Sequence, residues 1–148
     1  MNTPSTQRPN AAVLALGYAG LLPFVGCAVA MHLVAAEQQG RVLYALLSYG
    51  ATIVSFLGAI HWGLAMREPH NRTLTWVWGV LPSLVAWLAL LLPPVLGAYV
   101  LAAALWTCLA VDRQVYPRFA LQGWLPMRLV LTCIASAACV LGAVALAA

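Results

Sequence analysis

At 148 residues, of which 64% are hydrophobic and only 7% charged, this chain cannot clothe a water-soluble surface; an average soluble domain carries roughly a quarter charged residues. Its net charge of +4 does not indicate nucleic-acid binding, because the basic residues are isolated arginines scattered between apolar stretches. What remains is an all-α integral membrane bundle, best counted in spans of about 20 apolar residues.

Residues 1–10 are polar, contain two prolines and are expected to form a disordered tail ahead of a single transmembrane domain over 11–148. The first apolar stretch, 11–36, is too long for the core of a cleavable signal peptide and long enough to span. A turn over 37–41 containing Gly40 then leads into a second span, 42–66. Residues 73–111 carry no charge; as one helix they would be about 58 Å long, nearly twice the hydrocarbon thickness. Pro93-Pro94 lies at their middle, where missing N–H groups and ring clashes break a helix. The stretch is therefore read as two spans, 73–92 and 95–111. A fifth span covers 127–147, with Pro126 suited to its first turn.

Arginine placement orients these five spans. The N-terminal side receives Arg8, Arg67, Arg72, Arg113, Arg118 and Arg128, whereas the opposite side receives only Arg41. The positive-inside rule then puts the N-terminus in the cytoplasm and the C-terminus in the periplasm of a bacterial inner membrane. Between the fourth and fifth spans, residues 113–126 mix arginines with Tyr116, Phe119 and Trp124, a composition expected to lie along the headgroups. Gly20-Leu21-Leu22-Pro23 in the first span has a counterpart, Gly79-Val80-Leu81-Pro82, in the third. Each proline frees a carbonyl one turn earlier that neighbouring groups must satisfy.

The second span carries the most distinctive side chains. Ala51, Ser55, Ala59 and Gly63 recur every fourth residue, a ridge of small side chains expected to pack against another helix. Ser48, Thr52 and Ser55 overlap this face and are expected to hydrogen-bond across helices. His61 lies toward the cytoplasmic end of the span, where an ionisable group is costly and therefore a candidate functional residue. The same end receives Asp112 from the fourth span and Arg128 from the fifth. These three are expected to form one polar cluster, with Asp112 and Arg128 paired. Trp62, Trp76 and Trp78 fall at this boundary, where an aromatic belt belongs.

Catalytic and metal readings find little support. His32 and His61 sit near opposite ends of adjacent spans, about 20 Å apart along the membrane normal, and cannot share a haem iron. His70 lies in a loop. Cys27, Cys108, Cys133 and Cys139 form no CxxC and read as small buried hydrophobes. No HExxH, P-loop or GxSxG motif is present, and Ser55 and His61 point to different faces of one helix. No metal and no cofactor is expected. Beyond the bilayer itself, the partner expected is another membrane protein or a second copy of the chain, and not nucleic acid.

The segment Tyr49-Gly-Ala-Thr-Ile-Val-Ser-Phe-Leu-Gly-Ala-Ile-His-Trp-Gly63 resembles the signature of an uncharacterised membrane family. That family includes mitochondrial transmembrane protein 69 and proteobacterial relatives. Gly17-Tyr-Ala-Gly20 with Pro23-Phe24, Leu81-Pro82-Ser83 with Trp87, Asp112-Arg113, and Pro126 with Arg128 and Thr132 extend the resemblance. It implies a polytopic membrane protein and carries no activity or catalytic residue with it. A non-catalytic accessory, assembly or stabilising membrane protein is the leading expectation. A small transporter or proton-linked carrier using His61 is the second. An enzyme acting on a lipid or quinone at the inner leaflet, with His61 and Asp112 as its acid–base pair, is the third.

Overall fold

The computed structural model describes residues 8–67 and 73–147. Among them are six α-helices and two short 3₁₀ turns: α1 (Ala11–Ala19), α2 (Leu22–Ala30), α3 (Ala36–Ala65), α4 (Thr73–Leu91), α5 (Pro94–Val115) and α6 (Leu125–Ala147). The 3₁₀ turns, Tyr116–Phe119 and Gln122–Trp124, join α5 to α6. Five segments are long and apolar enough to cross a membrane, with α1 and α2 together forming the first. The loop before α4 lies outside the described residues, and with it His70 and Arg72.

The first span is a broken helix rather than a continuous one. The chain bends at Gly20-Leu21, so that Pro23 falls in the first turn of α2, where a missing N–H costs no hydrogen bond. At the break the Gly20 carbonyl accepts a hydrogen bond from the Tyr49 hydroxyl at 2.9 Å, from the middle of α3. In α4 the matching tetrapeptide has the other outcome: Pro82 is buried inside a continuous helix, facing Gly58 of α3.

The turn expected over residues 37–41 belongs instead to α3, which starts at Ala36. Glu37 sits in its first turn, where a carboxylate complements the positive end of the helix dipole. Gly40 is tolerated there as an exposed helical residue. The chain reverses just before, and the Gln39 amide donates to the Met31 carbonyl at 3.0 Å, tying the start of α3 to the end of the first span. At about 45 Å, α3 exceeds the hydrocarbon thickness, so its polar first turns extend past it.

The predicted packing ridge on α3 is corrected. Ala51 is buried and Ser55 half-buried, but Ala59 and Gly63 are exposed, and a Cβ on Gly63 would meet nothing within 4 Å. At 3.6 residues per turn, each step of four advances about 40° around the helix. Three such steps carry the row off the packing face and onto the lipid face. The face that packs alternates threes and fours: Gly50, Val54, Leu57-Gly58, His61 and Leu64 are all buried. Thr52 and Ser55 likewise bond back to carbonyls of their own helix, Tyr49 and Ala51, rather than across to a neighbour.

Small residues do line the real helix contacts, from different positions. On α4 the buried row is Gly79, Pro82, Ala86 and Ala89. A Cβ at Gly58 would stand 2.9 Å from the Gly79 carbonyl oxygen, so α3 and α4 touch backbone to backbone. After Pro93 the chain doubles back so tightly that a Cβ at Gly97 would collide with the Ala89 carbonyl. In a bilayer such close approach, gaining dispersion contacts, replaces burial from water as the reason helices associate. The most extensive packing joins α3 to α4 and α5 to α6.

Candidate functional site: a buried histidine, aspartate and arginine

Successive spans alternate in direction. The C-terminal ends of α3 and α5 therefore lie at the same end of the bundle as the N-terminal end of α6. The structure brings His61, Asp112 and Arg128 together there, with relative exposures of 1%, 1% and 6%. Arg128 Nε donates to Asp112 Oδ2 at 2.8 Å, a charge-assisted hydrogen bond between two buried side chains. His61 Nε2 stands 3.5 Å from the other carboxylate oxygen, Oδ1, within ion-pair reach but without hydrogen-bond alignment.

The ring's other nitrogen, Nδ1, lies 3.3 Å from the Leu57 carbonyl oxygen one turn earlier in α3. Both imidazole nitrogens therefore face acceptors. A carbonyl accepts only, so an Nδ1–H directed at Leu57 leaves a lone pair on Nε2 facing Asp112. One further proton between Nε2 and Oδ1 would satisfy both groups. Chemically, the His61–Asp112 pair is a place to hold a proton inside the bundle.

Arg128, counted with the arginines that orient the spans, is an interior group held by Asp112, the partner expected for it. The fourth span runs further than its apolar stretch implies, α5 continuing to Val115, which is why Asp112 is a helical residue. The segment between α5 and α6 is not an extended stretch. It folds into the two 3₁₀ turns, with Ala120 in the left-handed region at φ 57°. Tyr116, at the end of α5, is buried against the cluster, its ring centroid 6.5 Å from that of His61. Trp78 of α4 meets the His61 ring edge-on at 6.3 Å. Trp62, by contrast, is largely exposed and donates its indole N–H to the Trp76 carbonyl at 3.0 Å.

Tyr116 and Thr132 were not read as parts of this cluster, yet a signal for both exists. Each stands four residues beyond a cluster member, Asp112 and Arg128 respectively, and so shares its face of the helix. The four cysteines are unpaired; Cys108 and Cys139 are buried, and Cys133, contrary to expectation, is exposed on the outer face of α6. No group of three or more metal-ligating residues occurs among the described residues.

The fold and this cluster define a class: a multi-pass helical membrane protein with a polar triad buried at one end of its bundle. Residues 9–144 match the family described as "Protein of unknown function (DUF3429)", and the chain belongs to that family. It is also similar to transmembrane protein 69 of Xenopus tropicalis, at 41% identity over 81 residues. That alignment covers 53% of this chain and 32% of the relative, so the chain spans only about a third of the relative's length. No solved structure matches it.

Proposed function

We propose that the protein is a non-catalytic accessory or stabilising component of a bacterial inner membrane, with its N-terminus and triad on the cytoplasmic side and a membrane-protein partner or second copy bound through its flanks. The observation carrying this reading is that the triad joins α3, α5 and α6. Each polar side chain committed to it meets another helix of the same bundle. The bias of arginines toward the triad end supports the orientation, with Arg8, Arg67, Arg113 and Arg118 exposed there. Extraction in mild detergent followed by native mass determination tests the reading. A defined assembly larger than the monomer is expected, and a protein that stays monomeric under every gentle extraction condition would overturn it.

A second reading is supported by one specific feature, the proton-holding geometry of His61 and Asp112. A proton-linked carrier would need such a site within its span, and His61→Gln would then remove its pH response without removing the folded protein. An inner-leaflet enzyme would use the same pair as acid and base.

A further inference from the structure

An apolar crevice of about 390 Å³ runs between the broken first span, α3 and α6. Its walls include Leu21, Ile53, Leu57 and Leu131, and its rim includes Leu16 and Phe56, which are 75% and 62% exposed and so open it to the lipid side. At the triad end the lining changes character. Arg128, Trp124 and Thr132 all border the crevice, and each holds a buried polar atom without a partner: Arg128 Nη2, Trp124 Nε1 and Thr132 Oγ1. Arg128 and Thr132 are 6% and 1% exposed, so water does not readily satisfy them.

The chemistry of the vacant positions is one-sided. A guanidinium nitrogen and an indole N–H donate only, and a threonine hydroxyl can donate as well. An occupant must therefore offer several acceptor oxygens at one end and a hydrocarbon chain along the rest. Arg128 and Thr132 lie one turn apart on α6, about 6 Å along the axis. That offset matches a headgroup oxygen held by Arg128 and a deeper acyl-ester oxygen held by Thr132. Asp112 is 1% exposed and is engaged through Arg128 Nε; Nη2 shares that edge of the guanidinium through one of its hydrogens and directs the other along the end edge, and that second hydrogen is the one an acceptor in the crevice would meet. Arg8, Arg113 and Arg118, exposed at the same end, add positive potential.

We infer that the crevice binds an anionic membrane phospholipid. Its phosphate meets Arg128 Nη2 and Trp124 Nε1, its ester oxygen meets Thr132, and one acyl chain lies between the first span, α3 and α6. The inference goes beyond the accessory role and does not depend on it, because it concerns the purified chain alone.

The test is a lipid titration of delipidated full-length protein in mild detergent, read by native mass spectrometry. Phosphatidylglycerol is the probe, and phosphatidylcholine, oleate and ubiquinone are the comparisons. One phosphatidylglycerol should be retained at least ~10-fold more tightly than phosphatidylcholine. Thr132→Val and Trp124→Phe, which leave the Asp112–Arg128 pair in place, should each weaken it by about 3–10-fold, the loss of one hydrogen bond. Ile53→Trp, which fills the crevice, should abolish tight retention. Equal retention of the two phospholipids, or phosphatidylglycerol binding indifferent to all three substitutions, would overturn the site. Preferential retention of oleate or ubiquinone would overturn the assignment of a phospholipid.

Discussion

The Asp112–Arg128 pair makes a quantitative prediction that is asymmetric between its partners. Breaking a buried ion pair by removing one partner typically costs about 3–5 kcal/mol, because the remaining charge stays desolvated. That range applies here because the hydrogen bond is short, 2.8 Å, and both side chains are buried. The two single substitutions should nevertheless differ. In Asp112→Asn the orphaned Arg128 lies in the first turn of α6, and its long side chain can extend toward the headgroups. In Arg128→Gln the orphaned Asp112 has a short side chain fixed 1% exposed in the last turn of α5, with the His61 ring 3.5 Å away. Arg128→Gln should thus cost about 4 kcal/mol and Asp112→Asn about 3 kcal/mol. The double variant leaves no buried charge from the pair and should lose about 3–4 kcal/mol rather than the sum. The coupling, about 3–4 kcal/mol, is at or just above the top of the range measured for contacting residues. Reversible unfolding of all four proteins in mixed micelles measures it. Additivity within about 0.5 kcal/mol, the behaviour of independent sites, would refute the reasoning.

Three further outcomes are expected. Gly58→Leu should destabilise the bundle by about 1–3 kcal/mol through overpacking against the α4 backbone, whereas Gly63→Leu, facing open space, should be neutral in the same unfolding assay; equal costs would show that the α3–α4 contact is misplaced. Gly97→Ala, whose new methyl would collide with the Ala89 carbonyl, should splay the α4–α5 hairpin and lower thermal stability, measured in detergent against Gly26→Ala as a control with no neighbour within 4 Å. Tyr49→Phe removes the donor to the Gly20 carbonyl and should cost about 1–3 kcal/mol for the unsatisfied group, with faster hydrogen exchange at the amides around Gly20–Leu22.

How much of this was legible beforehand depends on what each signal measures. Hydropathy reports which residues tolerate lipid, so the five spans and the Pro93-Pro94 break could be read directly. It does not report which side of a span packs, because a buried Leu47 and an exposed Leu88 are equally apolar. The small-residue row on α3 fails for that reason: four-residue spacing is not a straight line on the helix, which carries Ala59 and Gly63 around to the exposed side. The charged residues were the clearer guide. His61, Asp112 and Arg128 converge because span direction alone puts them at one end, a matter of counting rather than of packing. The left-handed turn at Ala120, which reverses the chain between α5 and α6, had no glycine to announce it. The tetrapeptides ending in Pro23 and Pro82 behaved differently because a local sequence does not specify which neighbour can satisfy a carbonyl at a break; Tyr49 does so for Gly20.

The placement of the two charges on their helices adds an independent argument that each depends on the other. Asp112 lies in the last turn of α5, where the helix dipole presents negative potential, and Arg128 lies in the first turn of α6, where it presents positive potential. Each charge alone is therefore on the unfavourable end, by typically 0.3–1 kcal/mol and more where burial limits screening. Side by side, the two helix ends and the two side chains form a closed arrangement. Asp112 faces the positive start of α6, Arg128 faces the negative end of α5, and each offsets the term the other incurs. His61 lies in the last turn and a half of α3, on the same side of the bundle. Reversing the pair, Asp112→Arg with Arg128→Asp, would put each charge on its favourable helix end and keep the two adjacent. It would also turn a carboxylate away from His61 and set a guanidinium beside it. If the dipoles and the ion pair alone govern stability, the swapped protein should be at least as stable as the original. If His61 needs Asp112 as its partner, the swap should remain costly and His61→Leu should recover part of the loss. Recovery in that triple variant, measured against His61→Leu alone, separates a two-residue clasp from a three-residue unit.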